Sequence, residues 1–394
     1  MSSSVYVTGI GVVSALGIGV DQNWSALKEG RTGIVSCDTR KGSVLRGSLA
    51  HSDEDLKQML GLTADQQIPR TALIAMLAAK EALGNTTVDS TFRMGFINGT
   101  TTGGMDVCER YFQDLYLHKD ASNIRYMLTH DLGTVTLLIN RMFGIKDYVN
   151  TISTACSSAA NAIMMGSRMI KAGLLDRVLV GGTDALTDFT VDGFGSLMIY
   201  DTDPCRPFDE GRVGLNLGEG AGFLLLESEQ SVEQSGNKIL GKCVGWANTN
   251  DAYHQTGTSP EGNGACLAMK ESLALAGMSP ADIDYLNAHG TATKNNDNSE
   301  MSAIDTVFEG HELDFSSTKS YTGHTLAAAG GVEAVYSILS IVNNCLLPNL
   351  NWANQMATTD RKPVLKWREK EINAVMSNSF GFGGNSTSLI FSKV

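Results

Sequence analysis

Three residues have side chains and neighbours suited to nucleophilic and acid–base chemistry. Cys156 lies in STACSSAA, where an apparent strand gives way to a helix. The small neighbours allow a sharp turn that presents the sulfur at a helix amino terminus, where the positive end of the dipole favours thiolate, the nucleophilic form. Alternating small and hydroxylated residues pack poorly in a core, which separates Cys156 from the other six cysteines (37, 108, 205, 243, 266 and 345), read as structural thiols. His289 in NAHGTAT ends a predicted strand, and His324 lies in KSYTGHTLAAAGG; a glycine beside each lets a ligand approach the backbone. The remaining histidines, His51, His118, His130, His254 and His311, are read as hydrogen-bonded core residues. No carboxylate or thiol stands at ligand spacing beside His289 or His324, so no metal is expected. Lys319 and Glu333 are spaced either as a buried pair that sets a histidine's environment or as an ordinary surface pair. The GFGG at 381–384 offers backbone N–H groups to an oxyanion, or forms a strand bulge.

Bringing such distant residues together requires a scaffold, and the chain contains signs of one unit used twice. ALIAMLAAKEALG (72–84) and ACLAMKESLALAG (265–277) align without a gap, each reading as a helix stopped by glycine. FINGTTTGG follows the first and YLNAHGTATK the second, so the order helix, glycine, strand, G-T-x-T recurs. Further on, YVNTISTACSSAANAIMMG corresponds to FSSTKSYTGHTLAAAGG, and both halves close in glycine-rich strands. The polar stretch 228–238 is the natural boundary, giving halves of 1–236 and 237–394. Helices and buried apolar strands in alternation imply α/β halves, and sandwiching their helices makes five layers. The helix at 72–84, apolar nearly all round, is expected between layers. In this register Asn98 is replaced by His289, and Cys156 and His324 occupy comparable strand-to-helix turns, so a pseudo-twofold axis gathers Cys156, His289 and His324 into one cleft.

Composition narrows the function classes. At 394 residues and 42% hydrophobic, the chain can bury a large core. A net charge of −12 with no basic stripe argues against nucleic acid. Seven cysteines without a C-x-x-C pair argue against a disulfide framework or structural zinc. No apolar run approaches a membrane span, and the amino terminus has no basic segment ahead of its apolar part, so a cytoplasmic protein is expected.

TACSSA around Cys156, NAHGTAT with Asp297 and Glu300 following, SSTKSYTGH around His324 and NSFGFGG resemble the signature segments of elongating β-ketoacyl-(acyl-carrier-protein) synthases. VYVTGIGVVSALG, PFDEGR and GEGAG extend the resemblance from end to end. It implies an α/β thiolase-like fold, a five-layered αβαβα sandwich of two similar halves, usually as a homodimer. The implied reaction is a decarboxylative Claisen condensation: Cys156 takes an acyl chain from the carrier protein, and His289 and His324 stabilise the enolate formed from the malonyl thioester. The resemblance also implies an oxyanion hole from the amides of Cys156 and Phe382, a supporting ion pair Lys319–Glu333, and hydroxyls Thr291 and Thr293 on the phosphopantetheine arm. Phe382 would gate the acyl pocket, with Phe380, Thr102 and Met105 as further substrate-binding residues. No soluble cofactor is implied, since the substrates ride on the phosphopantetheine of the acyl carrier protein.

Three departures stand out. FGIKDYVNTIS lacks the glycine-proline approach usual before the nucleophile's strand. TADQQIPRTAL has only Arg70 where relatives carry several carrier-facing cations, leaving Lys119, Arg125 and Arg206 as substitutes. Thr102 stands where relatives often have a bulkier aliphatic group, so pocket depth does not transfer. The alternatives are a non-catalytic chain-length-determining partner in a heterodimer, which characteristically lacks the nucleophile, and a specialised polyene or polyketide ketosynthase. A degradative thiolase would need a second active-site cysteine in C-x-G, which Cys345 in NNCLLPN does not supply. A cysteine hydrolase would need an Asn or Asp orienting one histidine.

Overall fold

The structure, a computed structural model, describes residues 4–39, 42–89 and 91–394. Ten strands form one path: β1 Val5–Ser14, β2 Met94–Gly99, β3 Tyr148–Ile152, β4 Arg177–Asp184, β5 Gly220–Ser228, β6 Gly241–Asn250, β7 Tyr285–Asn287, β8 Asp314–Ser316, β9 Ala374–Gly381 and β10 Asn385–Ser392. Their order is β8-β7-β9-β10-β6-β1-β5-β4-β2-β3. Read outward from the centre, the first half runs β1-β5-β4-β2-β3 and the second β6-β10-β9-β7-β8, the same topology twice. The pairings repeat as well: the inner two of each half are antiparallel and the outer two parallel. Two residue pairs, Tyr6 with Lys242 and Val7 with Gly241, join the halves into one sheet. The polar stretch between them folds as a short helix, Glu229–Ser235.

Five helices cover the strands: α1 Arg70–Leu83, α2 Ser158–Lys171, α3 Asn263–Ala276, α4 Lys294–Val307 and α5 Ala329–Asn343. Helices α2 and α5 pack on one another and touch strands of both halves, so they form the middle layer. α1 lies on the outer face of the first half, and α3 with α4 on the outer face of the second. The expectation that 72–84 lies between the layers is corrected: α1 is outer, and its all-round apolar character is met by the helices Asp53–Leu60 and Leu132–Phe143 packed over it. An apolar surface signals burial without saying what does the burying. α1 and α3 are nevertheless the equivalent pair read from their matched sequences, capped by Gly84 and Gly277.

Glycine permits this stacking because backbones meet directly. A Cβ on Gly222 of β5 would lie 2.3 Å from Gly331 C and Val332 N of α5. At the crossing of the middle helices, a Cβ on Gly330 would lie 2.8 Å from Ala160 N. Around this seam Ile97, Ile163, Val180, Leu224, Val335 and Val375 form the central core. Among the described residues one helical stretch, Leu326–Asn343, is long and apolar enough to cross a membrane by composition; it is this buried middle helix.

Candidate active site

Each middle helix is preceded by a tight turn, and those turns hold the chemistry. Cys156 follows Ala155, whose φ of 53° is left-handed, a conformation that costs a residue with a Cβ and survives only where the surroundings enforce it. Ser158 and Ser157 tie the turn down, donating to the carbonyls of Ala155 and Thr154 at 2.6 and 2.7 Å. His324 precedes α5 by a 3-10 turn, Leu326–Ala328, and Leu326 is left-handed as well at 54°. His289 follows β7, in a loop held by Glu300 of α4, whose carboxylate accepts from the amides of His289 and Gly290 at 2.8 Å each.

The imidazoles of His289 and His324 stand edge to face, 5.4 Å between centroids, and Phe380 packs on His289 at 5.6 Å. Behind His289, the Lys319 ammonium reaches the ring Nδ1 at 3.2 Å and the His289 carbonyl at 2.5 Å, and it pairs with Glu333. An ammonium can only donate, so Nδ1 accepts and the proton of a neutral ring sits on Nε2. Burial, the Lys319 charge and the neighbouring imidazole hold His289 well below its ordinary value; burial and Lys319 do the same to His324. Both are therefore neutral near pH 7, donors without fixed charge. Nδ1 of His324 finds no hydrogen-bond partner among the described residues.

Cys156 corrects the expectation of a resting thiolate. Burial pushes its thiol up to about 12; Lys319 pulls it down, while Asp184 and Glu333 add to the rise. Desolvation outweighs the nearby helix start, so the resting nucleophile is a thiol.

Two cavities meet at this sulfur. One, of about 440 Å³, is lined by Cys156, His289, His324, Thr291, Thr293, Phe380 and Phe382, with a mouth formed by 254–258 and 294–296. The other, of about 300 Å³, is lined by Cys156, Thr101, Thr102, Met105, Phe189, Leu326 and Phe382 and is mostly apolar. Phe194, Leu197 and Phe382 face both, and the rings of Phe194 and Phe382 stack at 5.6 Å. Every site residue read from the sequence thus lies on one of the two cavities, apart from Lys319 and Glu333, which are buried behind His289 as a true ion pair. Among the described residues no backbone carbonyl takes the amides of Cys156 or Phe382, the two oxyanion candidates, and the Cys156 amide faces its own sulfur.

Other readings change. His118, His130, His254 and His311 are exposed and His51 is half-buried, so none is a core residue. His254 sits at the cavity mouth, its Nδ1 accepting from Thr256 and Gly257. Of the structural thiols, Cys37 and Cys266 are only half-buried. Arg70 is consumed internally by Glu219 and Asp53, and Arg206 by Asp203, whereas Lys119 and Arg125 lie over Tyr116 and Tyr126. Sequence reading missed Phe194 and Leu197, which only packing brings opposite Phe382.

Known proteins resemble this chain over nearly its whole length. The family described as "Beta-ketoacyl synthase, N-terminal domain" matches residues 2–231, and "Beta-ketoacyl synthase, C-terminal domain" matches 240–353. The 3-oxoacyl-[acyl-carrier-protein] synthase 2 of Staphylococcus aureus (strain COL) is 34% identical, covering 99% of this chain and 98% of its own. The solved structure of the ishigamide ketosynthase/chain length factor superposes with a TM-score of 0.92 at 26% identity over all of both chains. A ketosynthase from Xenorhabdus doucetiae, solved in complex with its chain length factor, gives 0.85 at 30% identity, covering 100% of this chain and 98% of that one.

Proposed function

This chain belongs to the β-ketoacyl synthase family, and from that premise we propose that it elongates acyl chains by decarboxylative condensation of a malonyl-carrier thioester with an acyl group held on Cys156. The observation that carries the reading is that one sulfur opens onto both a cavity holding two neutral imidazoles and two threonine hydroxyls and a second, more apolar one.

In this reading the acyl chain enters the cavity of Thr102, Met105 and Leu326 while its thioester carbonyl meets Cys156. Sulfur attacks, and the thiol proton passes by way of an imidazole to the departing carrier sulfur, which leaves as the thiol and returns the imidazole to its neutral form; His324, whose Nδ1 bonds no described residue, is the relay. A malonyl thioester follows through the mouth, its arm lying on Thr291 and Thr293, whose hydroxyls are 2.9 Å apart. The bond between its C2 and carboxylate breaks, carbon dioxide leaves, and the electron pair forms an enolate whose oxygen takes hydrogen bonds from His289 Nε2 and His324. C2 attacks the acyl carbonyl, and the oxyanion rests on the amides of Cys156 and Phe382. The C–S bond then breaks, and the Cys156 thiolate takes the one proton the reaction consumes from water, which restores the resting thiol. Neutral donors suit the enolate, because a cationic imidazolium would hold the malonyl carboxylate back from leaving.

We place this activity in fatty-acid synthesis or a related polyketide or polyene pathway, with the acyl carrier protein as partner. A dimer is part of the reading: β3 leaves one sheet edge open, and Phe112, Tyr116, Leu117, Ile124, Leu128 and Leu137 are exposed on the segments nearby. The second subunit is another copy or, as in the Xenorhabdus doucetiae complex, a chain length factor; native mass distinguishes the two. The non-catalytic partner reading is disfavoured because Cys156 and both histidines are retained in one cavity.

The test is intact-mass analysis with acyl-carrier thioesters of graded length, for the parent and Cys156→Ala, followed by malonyl-carrier protein. An adduct that requires Cys156 and is discharged as a β-ketoacyl product is expected. A folded dimer that takes no chain of any length overturns the proposal.

A further inference from the structure

Asp184, the last residue of β4, is fully buried, yet no basic side chain pairs with it among the described residues. Six donors surround it instead. Oδ1 accepts from Thr100 Oγ1 at 2.7 Å, from the amides of Thr101 and Thr102 at 2.9 Å, and from Thr102 Oγ1 at 2.9 Å. Oδ2 accepts from Thr101 Oγ1 and, from the other half of the chain, the amide of Ala327 at 2.9 Å. Donors at this density satisfy both oxygens of a buried side chain without a basic partner.

The donors come from two segments that both supply lining to the apolar cavity: Thr101 and Thr102 from the first half, and Leu326, the neighbour of Ala327, from the second. Ala327 directly follows Leu326, so the bond to Asp184 Oδ2 holds the backbone immediately after the left-handed residue. The hydroxyls of Thr101 and Thr102 are also drawn out of the cavity by the same carboxylate, which is why a wall containing two threonines is apolar. Thr102, smaller than the residue expected there, is thereby made part of a fixed wall.

We propose that Asp184 is the positioning residue of the acyl pocket, clamping its Thr101–Thr102 and Leu326 walls at one separation and so setting which chain lengths Cys156 accepts. This rests on the reading that the 300 Å³ cavity holds the acyl chain.

Asp184→Asn tests it with little change in shape. An amide that keeps its oxygen toward the four Oδ1 donors turns its NH₂ on the Ala327 amide and releases the Leu326 wall. In competition between acyl-carrier thioesters, read as Cys156 adducts by intact mass, the variant should change the ratio between the best chain and one two carbons longer by roughly tenfold, as expected from methylene discrimination in apolar pockets. A second readout separates positioning from plain structure. Lys319, Asp184 and Glu333 are the charged groups acting on Cys156, alongside neutral His289 and His324. Loss of the Asp184 charge lowers the pH at which the thiol becomes alkylated, whereas Asp184→Glu keeps that pH but alters the chain profile. If Asp184→Asn does not fold, Thr100→Val serves: Thr100 bonds Asp184 without lining the cavity, and it should shift the profile in the same direction. Variants that fold and load the parent's chains in the parent's ratios overturn the inference alone. A parent protein that loads no chain overturns the reading beneath it.

Discussion

Lys319 provides the sharpest test of how the histidines are prepared. Its ammonium is almost fully buried and holds three acceptors at once: Glu333, His289 Nδ1 and the His289 carbonyl. Lys319→Met keeps the volume and removes the charge, leaving Glu333 buried with no partner, a change that costs about 3–5 kcal/mol. Burial already pushes the Glu333 carboxyl up to about 7 against the pull of Lys319, and without the ammonium it rises further. A carboxyl whose folded value lies above its unfolded one stabilises the native state at low pH, and that contribution is lost as pH rises through the folded value. The penalty in urea unfolding should therefore be small near pH 5 and grow as pH rises through about 7 and above. Adding Glu333→Gln removes the stranded charge and should restore most of the stability. Activity should not follow, because His289 has still lost the donor that fixes its tautomer and position; malonyl decarboxylation should stay down by roughly 100-fold, the scale of a misplaced catalytic group. A single variant with parental decarboxylation, or a double variant in which rate and stability return together, would refute the role given to Lys319.

Four further outcomes follow from the same geometry. Because burial pushes the Cys156 thiol up to about 12, its rate of alkylation by iodoacetamide should still be climbing at about pH 10, and a plateau near neutrality would contradict a resting thiol. Glu300 is pushed up to about 7 by burial, while its ionised form holds the His289 loop; lowering the pH through that value should raise the urea midpoint yet slow decarboxylation, and Glu300→Gln should weaken both trends, which parallel pH profiles in parent and variant would disprove. Gly222→Ala places a methyl 2.3 Å from the backbone of α5 and should cost at least the roughly 1–3 kcal/mol typical of overpacking. Gly193→Ala, with open space around it on the acyl cavity, should leave stability intact and shorten the accepted chain; equal melting of the two variants would count against the backbone contact described for Gly222.

The sequence displayed the nucleophile and both histidines because each sits in a turn whose small residues are locally required, and turn chemistry is written in neighbouring letters. The duplicated helices were equally visible, since Ala72–Gly84 and Ala265–Gly277 share both periodicity and stop. What escaped depends on partners distant in the chain. Whether α1 is an inner or outer helix is decided by what lies over it. His254 resembles any other histidine until the loop around it reaches the cavity mouth. Asp184 ends a strand unobtrusively, and its importance comes from Ala327, which belongs to the other half. The protonation of Cys156 was misjudged for a related reason: a helix start is visible in sequence, whereas the depth of burial that outweighs it is a property of the whole assembly.

The halves of this protein are joined by a shared sheet at Tyr6 and Val7 and by backbone lying on backbone at Gly222 and Gly330. Such a seam has no hinge. Domain closure is therefore not available as a way of admitting substrates or expelling product, and traffic must pass through moving parts no larger than a side chain or a short loop. The stacked rings of Phe194 and Phe382 stand on that route. The slow step in turnover should accordingly respond to the bulk and flexibility at residues 381–384 and hardly at all to solvent viscosity, as expected of a rigid body with a narrow door.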